Sequence, residues 1–285
     1  MRIGCSIDEM KRIKPEELKE ILERDKMGQF VLVDVRQPEE YRAGHIPGAR
    51  LVPLGELEAR HGELEKDNKI VIYCRSGHRS MGAAILLCGL GFKDVYTMDG
   101  GMLDWDYEVL TGLPEGKPEL FVEKGEVGDV LMIALKLEKG SQEFYVRTAE
   151  KVKSQKTIET FQMLAQIEEK HMERIYDRYE EVLGKDKLPA FNLLKQELSL
   201  EYMEGGIEIN KALLRIEGRE FRDEMEALEV ALEKEYVSYD FYKRVAGMMA
   251  DADTRFLLHE LAWEERKHIN SLLIEIRKLV KEELR

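Results

Sequence analysis

The sequence predicts two folds in one chain: an α/β domain built on a parallel sheet flanked by helices, then an all-α four-helix bundle. Three observations carry this reading. Up to about residue 110, short apolar runs alternate with helical stretches. Beyond that, one segment is written twice, Ala134 to His171 returning as Ala231 to His268 at a constant shift of 97 positions with no gap. Between the two regions, Thr111-Gly112-Leu113-Pro114-Glu115-Gly116-Lys117-Pro118 breaks both periodicities. The expected domains are 1–116 and 117–285, in line with the two domains that 285 residues suggest.

In the first domain, Lys14-Pro15-Glu16-Glu17 opens a helix, with proline near its first position. Phe30 to Val33 and Lys69 to Tyr73 are short apolar strands. Arg79 to Leu87 is a helix closed by Gly89, and Asp94 to Thr97 is a third strand, followed by Gly100-Gly101 and a short helix to Trp105. The strand ending at Tyr73 delivers Cys74 into the loop Cys74-Arg75-Ser76-Gly77-His78-Arg79-Ser80, and a helix follows at once. A thiol at the carboxyl end of a parallel strand lies where such folds bind ligands. The helix N-terminus and the neighbouring Arg75 and Arg79 favour the thiolate. Amides of the glycine-containing loop can cradle an anion. Cys88 sits in the apolar helix and reads as core, Cys5 as part of a terminus, and His45 and Asp34 as turn-holding residues. His78 is placed either to meet a bound anion or to be solvated.

In the second domain, the first helix is expected to start near Val127. Leu131, Leu135, Glu138, Gln142 and Tyr145 recur at helical spacing, as do Leu228, Leu232, Glu235, Tyr239 and Tyr242. The second helix of each copy runs Phe161, Leu164, Glu168, His171, Ile175, and Leu258, Leu261, Glu265, His268, Leu272. Each apolar stripe thus carries a carboxylate, which is costly to bury unpaired. Two divalent cations would balance the four carboxylates Glu138, Glu168, Glu235 and Glu265, while His171 and His268 add neutral nitrogen ligands. A Glu on two helices and Glu-x-x-His on two others is the di-iron or di-manganese carboxylate arrangement of ferritin-like bundles. Oxygen-rich ligation with some imidazole suits iron, with manganese as the other choice, better than structural zinc. Tyr145 and Tyr242, two turns past the lone Glu residues, are placed either to hydrogen-bond those carboxylates or to fill core. His259 lies off the ligand face. Residues 184–222 supply the long crossover that such a bundle needs, with Leu193 to Met203 reading as helix.

Two resemblances follow from these residues. Lys14 to Pro114 resembles the single-domain rhodanese family, through Asp34-Val35-Arg36, Glu40-Tyr41, Gly44-His45-Ile46-Pro47-Gly48-Ala49, the Cys74 loop, Val95-Tyr96, Asp99-Gly100-Gly101 and Trp105. The resemblance implies a rhodanese-like fold and sulfurtransferase chemistry. Cys74 would take sulfur from a small sulfane donor as a persulfide and pass it to a thiol acceptor. Arg75 and Arg79 would bind the anionic donor, with Ser76, Gly77, His78 and Ser80 completing the loop. Phosphatases of this fold hold five residues between Cys and Arg; here there are four, Arg75 to His78, which favours sulfur over phosphate.

From about Val127 onward the chain resembles rubrerythrin and its ferritin-like relatives, through Ala134-Leu135, Glu138, Phe144-Tyr145, Leu164-Ala165, Glu168-x-x-His171 and their partners 97 positions on. This implies two iron ions reacting with peroxide or dioxygen. Rubrerythrins also carry paired C-x-x-C knuckles; this chain has none, so an external electron donor is implied. An additional third-helix acid of the family is replaced by Leu232. The resulting expectation is a bifunctional redox enzyme. The alternative is an iron-storage or sensing bundle carrying a docking or persulfide-binding module without turnover.

The composition narrows the setting. Net charge is −13, with 16 basic against 21 acidic side chains up to Gly116 and 28 against 36 after it. Both regions are acidic, so no nonspecific nucleic-acid binding is expected. No apolar run is long enough for a membrane span, and the start lacks a signal-peptide core. The three cysteines fit a reducing compartment without a disulfide framework, so a cytoplasmic protein is expected. Ferritin-like relatives commonly pair, so a homodimer is expected.

Overall fold

The computed structural model describes residues 10–25, 28–111, 126–198, 202–203, 207–211 and 224–283. The chain divides into two units, Met1–Leu113 and Pro114–Arg285.

The first unit is a five-stranded sheet. In chain order its elements are β1 (Lys11–Ile13), α1 (Pro15–Arg24), β2 (Phe30–Asp34), α2 (Pro38–Ala43), β3 (Arg50–Leu51), α3 (Leu57–Arg60), β4 (Lys69–Tyr73), α4 (His78–Gly89) and β5 (Val95–Met98). The spatial order is β1-β5-β4-β2-β3, and every pairing is parallel. Side chains alternate faces along a strand, so both sides of the sheet are packed. Ile70, Ile72 and Val33 meet Ala83, Ala84 and Leu87 of α4 on one face. Val71, Tyr73 and Leu32 meet Leu18 and Leu22 of α1 on the other. Two helix starts use the same local device: Pro at the first position and a Glu three residues in. Glu17 accepts from the Lys14 amide at 3.0 Å and Glu40 from the Gln37 amide at 3.2 Å.

The second unit is a helical bundle. Its long helices are α5 (Val127–Ala149), α6 (Gln155–Leu183), α8 (Glu224–Ala246) and α9 (Ala252–Glu283), with α5 packed on α6 and α8 on α9. Ser154 caps α6 by accepting from the Thr157 amide at 3.4 Å. The connection between the two helical pairs carries α7 (Phe191–Glu197) and a small antiparallel pair, β6 (Tyr202–Met203) with β7 (Ile207–Glu208). The expected helix through Met203 therefore ends early. Leu198 turns the backbone to an extended conformation, and strand pairing lets Met203 bury in the bundle core beside Ile209, Leu228 and Phe144. Among the described residues, no helix is long and apolar enough to cross a membrane.

Candidate thiol loop and metal centre

Cys74 leaves β4 at the carboxyl end of the sheet and is buried. The Gly77 amide donates to its Sγ at 3.2 Å. Burial pushes this thiol up, but hydrogen bonds from the Ser80, Ser76 and Gly77 backbone and hydrogen bonding with the Ser80 hydroxyl outweigh it, and the net direction is down. The loop is braced by the short turn Gly101–Leu103 that follows β5: the Met102 amide donates to the Cys74 carbonyl at 2.9 Å and the Leu103 amide to the Arg75 carbonyl at 3.0 Å. Gly101 makes this possible. A Cβ there would lie 2.4 Å from the Cys74 oxygen, and its φ is +62°. Gly77, at φ +89°, is the residue before α4.

The arginines are placed differently from each other. Arg75 is exposed at the loop rim. Arg79 forms a two-pronged ion pair with Glu40, Nη1–Oε2 at 2.6 Å and Nη2–Oε1 at 2.7 Å. Hydrogen bonding to Arg79, against an opposing effect of burial, holds the Glu40 carboxyl at about 2. The thiol is thus depressed chiefly by loop amides, because the Arg79 charge is engaged by Glu40. His78 contacts the Ser76 hydroxyl at 3.1 Å. Asp34 is buried and binds Arg36, whose Nη2 also donates to the Gly44 carbonyl at 2.7 Å. His45 Nδ1 lies 3.0 Å from the Tyr41 carbonyl, and its ring stacks on Tyr41. Both residues hold turns, as their positions suggested. Cys88 is half-buried in α4 rather than fully in the core, and Cys5 lies outside the described residues. Cys74 is the free thiol among the described cysteines.

In the bundle, Glu138, Glu168, His171, Glu235 and Glu265 are fully buried and His268 is 4% exposed. They form two groups whose donor atoms lie within 4.8 Å of one another: Glu138, Glu168, His171 and Glu265, and Glu168, Glu235, Glu265 and His268. Glu168 and Glu265 belong to both. Each histidine turns Nδ1 inward, His171 to 3.0 Å from Glu168 and 3.3 Å from Glu138, His268 to 3.3 Å from Glu265 and 3.4 Å from Glu235. Glu168 Oε2, Glu235 Oε2 and His268 Nδ1 make no aligned hydrogen bond among the described residues. Buried carboxylate and imidazole donors facing one another in this way fit divalent cations. Each tyrosine bonds across the repeat: the Tyr145 hydroxyl donates to Glu235, and the Tyr242 hydroxyl to Glu138 at 2.5 Å. His259 belongs to neither group.

A family model described as Rhodanese-like domain matches residues 14–108, and one described as Rubrerythrin matches residues 129–276, more than half of the chain. The chain belongs to the rhodanese-like and rubrerythrin families, one after the other. Curated proteins similar to the chain include the HTH-type transcriptional regulator Rv0324 of Mycobacterium tuberculosis, 45% identical over 102 residues, or 35% of this chain and 44% of that protein. The putative sulfur carrier protein YrkF of Bacillus subtilis is 47% identical over 74 residues, or 26% of this chain and 40% of that protein. The thiosulfate sulfurtransferase GlpE of Pseudoalteromonas translucida is 38% identical over 96 residues, 34% of this chain and 89% of that protein. The chain thus spans less than half the length of the first two.

The rubrerythrin half holds two groups that the periodicity of its stripes did not single out. Lys234 is fully buried, with Nζ 2.9 Å from Glu168, 3.6 Å from Glu235 and 4.0 Å from Glu265. Burial pushes Glu235 up, but the Lys234 ammonium and His268 outweigh it and hold the carboxyl at about 2. The signal was available, since the first copy has Leu137 at the corresponding position. Glu264 places Oε2 2.7 Å from His171 Nε2 and accepts from Arg174 at 3.0 Å. The first copy has Ile167 there, so comparison of the two copies offered the same kind of signal. In the rhodanese-like half, the engagement of Arg79 by Glu40 was likewise not read from spacing.

Proposed function

We propose that the chain is a bifunctional redox protein: a sulfurtransferase working through a Cys74 persulfide, joined to a carboxylate–histidine metal centre that reduces peroxide or activates dioxygen. Two donor clusters sharing Glu168 and Glu265 in a buried interior are the observation that carries the second activity. The amide-lined Cys74 loop supports the first.

In sulfur transfer, the Cys74 thiolate attacks the outer sulfur of thiosulfate. A new S–S bond forms, the donor S–S bond breaks, and sulfite leaves with the electron pair. An acceptor thiolate then attacks the outer persulfide sulfur, carries it away and returns Cys74 as thiolate. Amides of Gly77, Ser76 and Ser80 stabilise the anionic sulfur at both stages. Arg75, exposed at the rim, attracts the anionic donor.

In the bundle, Glu168 and Glu265 would be shared by two ions, Glu138 with His171 and Glu235 with His268 completing one site each. Two iron ions, or manganese ions, held there would supply the redox couple, with electrons from an external donor. Tyr145 and Tyr242 fix the orientation of Glu235 and Glu138. Packing of the four helices keeps water from the carboxylates. Covalent linkage supports a shared role for the halves in thiol chemistry and oxidative-stress defence.

Anaerobic purification with iron quantification, followed by separate mixing with peroxide and with air, tests the metal reading. Reoxidation of the iron-loaded protein, and loss of iron in Glu168→Ala and Glu265→Ala, are expected. Undiminished peroxide turnover by the iron-free variants overturns it. For the first activity, Cys74→Ser should abolish sulfur transfer from thiosulfate to cyanide; retained transfer overturns that half.

A further inference from the structure

The bundle's internal repeat is broken at one position inside the candidate metal centre. Position 137 is Leu and its counterpart 234 is Lys; both are buried, Leu137 at 1% exposure and Lys234 at 0%. A lysine so deeply buried must have anionic partners. It has them in the cage: Glu168 at 2.9 Å, Glu235 at 3.6 Å and Glu265 at 4.0 Å. Those three are the complete carboxylate set of the His268 cluster, and the His171 cluster contains two of them. The Lys234 ammonium also lies 4.9 Å from the Tyr145 ring, the side chain that donates to Glu235. The lysine therefore sits on the His268 side of the pseudo-symmetric site: it shares Glu265 Oε2 with His268, while His171 faces Glu265 Oε1 and Glu168 Oε2.

We propose that Lys234 makes the two metal positions unequal, acting as a resident cation of the Glu168/Glu235/Glu265/His268 cluster, so that the Glu138/Glu168/His171/Glu265 cluster binds a divalent ion first and more tightly. This rests on the metal-centre reading above and deepens it. An ammonium and a metal ion cannot both use the same carboxylate lone pairs at short range without repulsion. Either ion draws on Glu168 and Glu265, which the clusters share, but filling the His268 cluster must also draw Glu235 from Lys234, whereas the His171 cluster has Glu138 with its Tyr242 hydrogen bond. Loading becomes ordered, and a half-loaded protein is an accessible state.

Anaerobic titration of the metal-free full chain with Co(II), read by its visible absorption and by bound-metal quantification, tests this without any turnover. The wild type should bind two ions in two steps whose affinities differ by roughly tenfold or more, the range for a neighbouring group acting on a metal site. His171→Ala should remove the tight step and His268→Ala the weak one. Lys234→Leu, which restores the residue of the first copy, and the near-isosteric Lys234→Met should tighten the weak step and narrow the gap. Two equal steps in the wild type, a gap unchanged in a folded Lys234 variant, or a tight step lost with His268→Ala overturns the proposal while leaving a two-metal centre in place. The wild-type isotherm and the histidine variants decide even if both Lys234 variants misfold. Absence of Co(II) binding in any form overturns the metal-centre reading itself.

Discussion

Two glycines, one within the Cys74 loop and one packed against it, separate backbone strain from steric collision. Gly77 and Gly101 both have positive φ, +89° and +62°. A Cβ at Gly77 would find its nearest atoms, the Gly100 amide nitrogen and the Met98 carbonyl oxygen, at 3.9 Å. A Cβ at Gly101 would lie 2.4 Å from the Cys74 oxygen and 2.7 and 2.8 Å from the Arg75 carbonyl atoms. Left-handed backbone costs an L-residue about 1–2 kcal/mol. Alanine recovers about 0.4–1 kcal/mol by restricting the unfolded chain. Gly77→Ala should therefore cost about 1 kcal/mol. Gly101→Ala carries the same strain plus a collision with backbone that cannot swing away, an overpacking cost of about 1–3 kcal/mol. It should lose about 2–4 kcal/mol in total and displace the Cys74 and Arg75 carbonyls. Trp105 reports the first unit alone in a Trp263→Phe background, so urea unfolding followed by its fluorescence reads the difference. Gly77→Ala keeps the amide that donates to Sγ and should alkylate at Cys74 near the wild-type rate, whereas Gly101→Ala should not. Equal stability of the two variants, or an unaltered alkylation rate in Gly101→Ala, would refute the idea that the turn after β5 braces the thiol loop by close contact at Gly101.

The rate of Cys74 alkylation against pH should have its midpoint below that of an unperturbed thiol, and Ser80→Ala should move it upward by removing a hydroxyl that favours the thiolate. Tyr145→Phe and Tyr242→Phe should each weaken metal binding by roughly 10–100-fold, measured by competition with a chelator, because each leaves a ligand carboxylate without its orienting hydroxyl. Glu40 is depressed from 4.5 to about 2, so its contribution is complete above its unfolded value and is lost as pH falls through that window; Glu40→Gln should flatten the decline in urea midpoint of the first unit between those two pH values.

Much of both halves was legible in the sequence, for identifiable physical reasons. β2, β4 and α4 are long enough to show their apolar pattern, and the duplicated stripes of α5, α6, α8 and α9 placed six polar side chains that the fold gathers in one interior. β1 and β3 escaped notice because three and two residues cannot express a period. The helix read through Met203 failed because apolar residues after Glu197 serve a strand pair and the bundle core, a tertiary demand that local pattern does not reveal. The same limit explains Glu40, an ordinary acid in a chain rich in them, whose partner Arg79 comes from another element. Lys234 and Glu264 were different, since comparison of the two copies with each other exposes both substitutions at once.

The two halves stabilise negative charge by different means because the charge differs in amount. A single buried thiolate needs only oriented amides, and Gly77, Ser76 and Ser80 provide them without adding a charge that must itself be balanced. Four carboxylates at zero exposure exceed what amides can offer, because helical backbone spends its N–H groups along its own axis. Tyr145 and Tyr242 supply one donor each, which orients Glu235 and Glu138 but neutralises neither. Formal positive charge is then required inside the bundle. The chain itself contributes Lys234 there, from the second copy, where the first copy has Leu137. An exact repeat would have kept leucine at that position and left the whole balance to metal; the lysine shifts part of it to the protein, on one side alone.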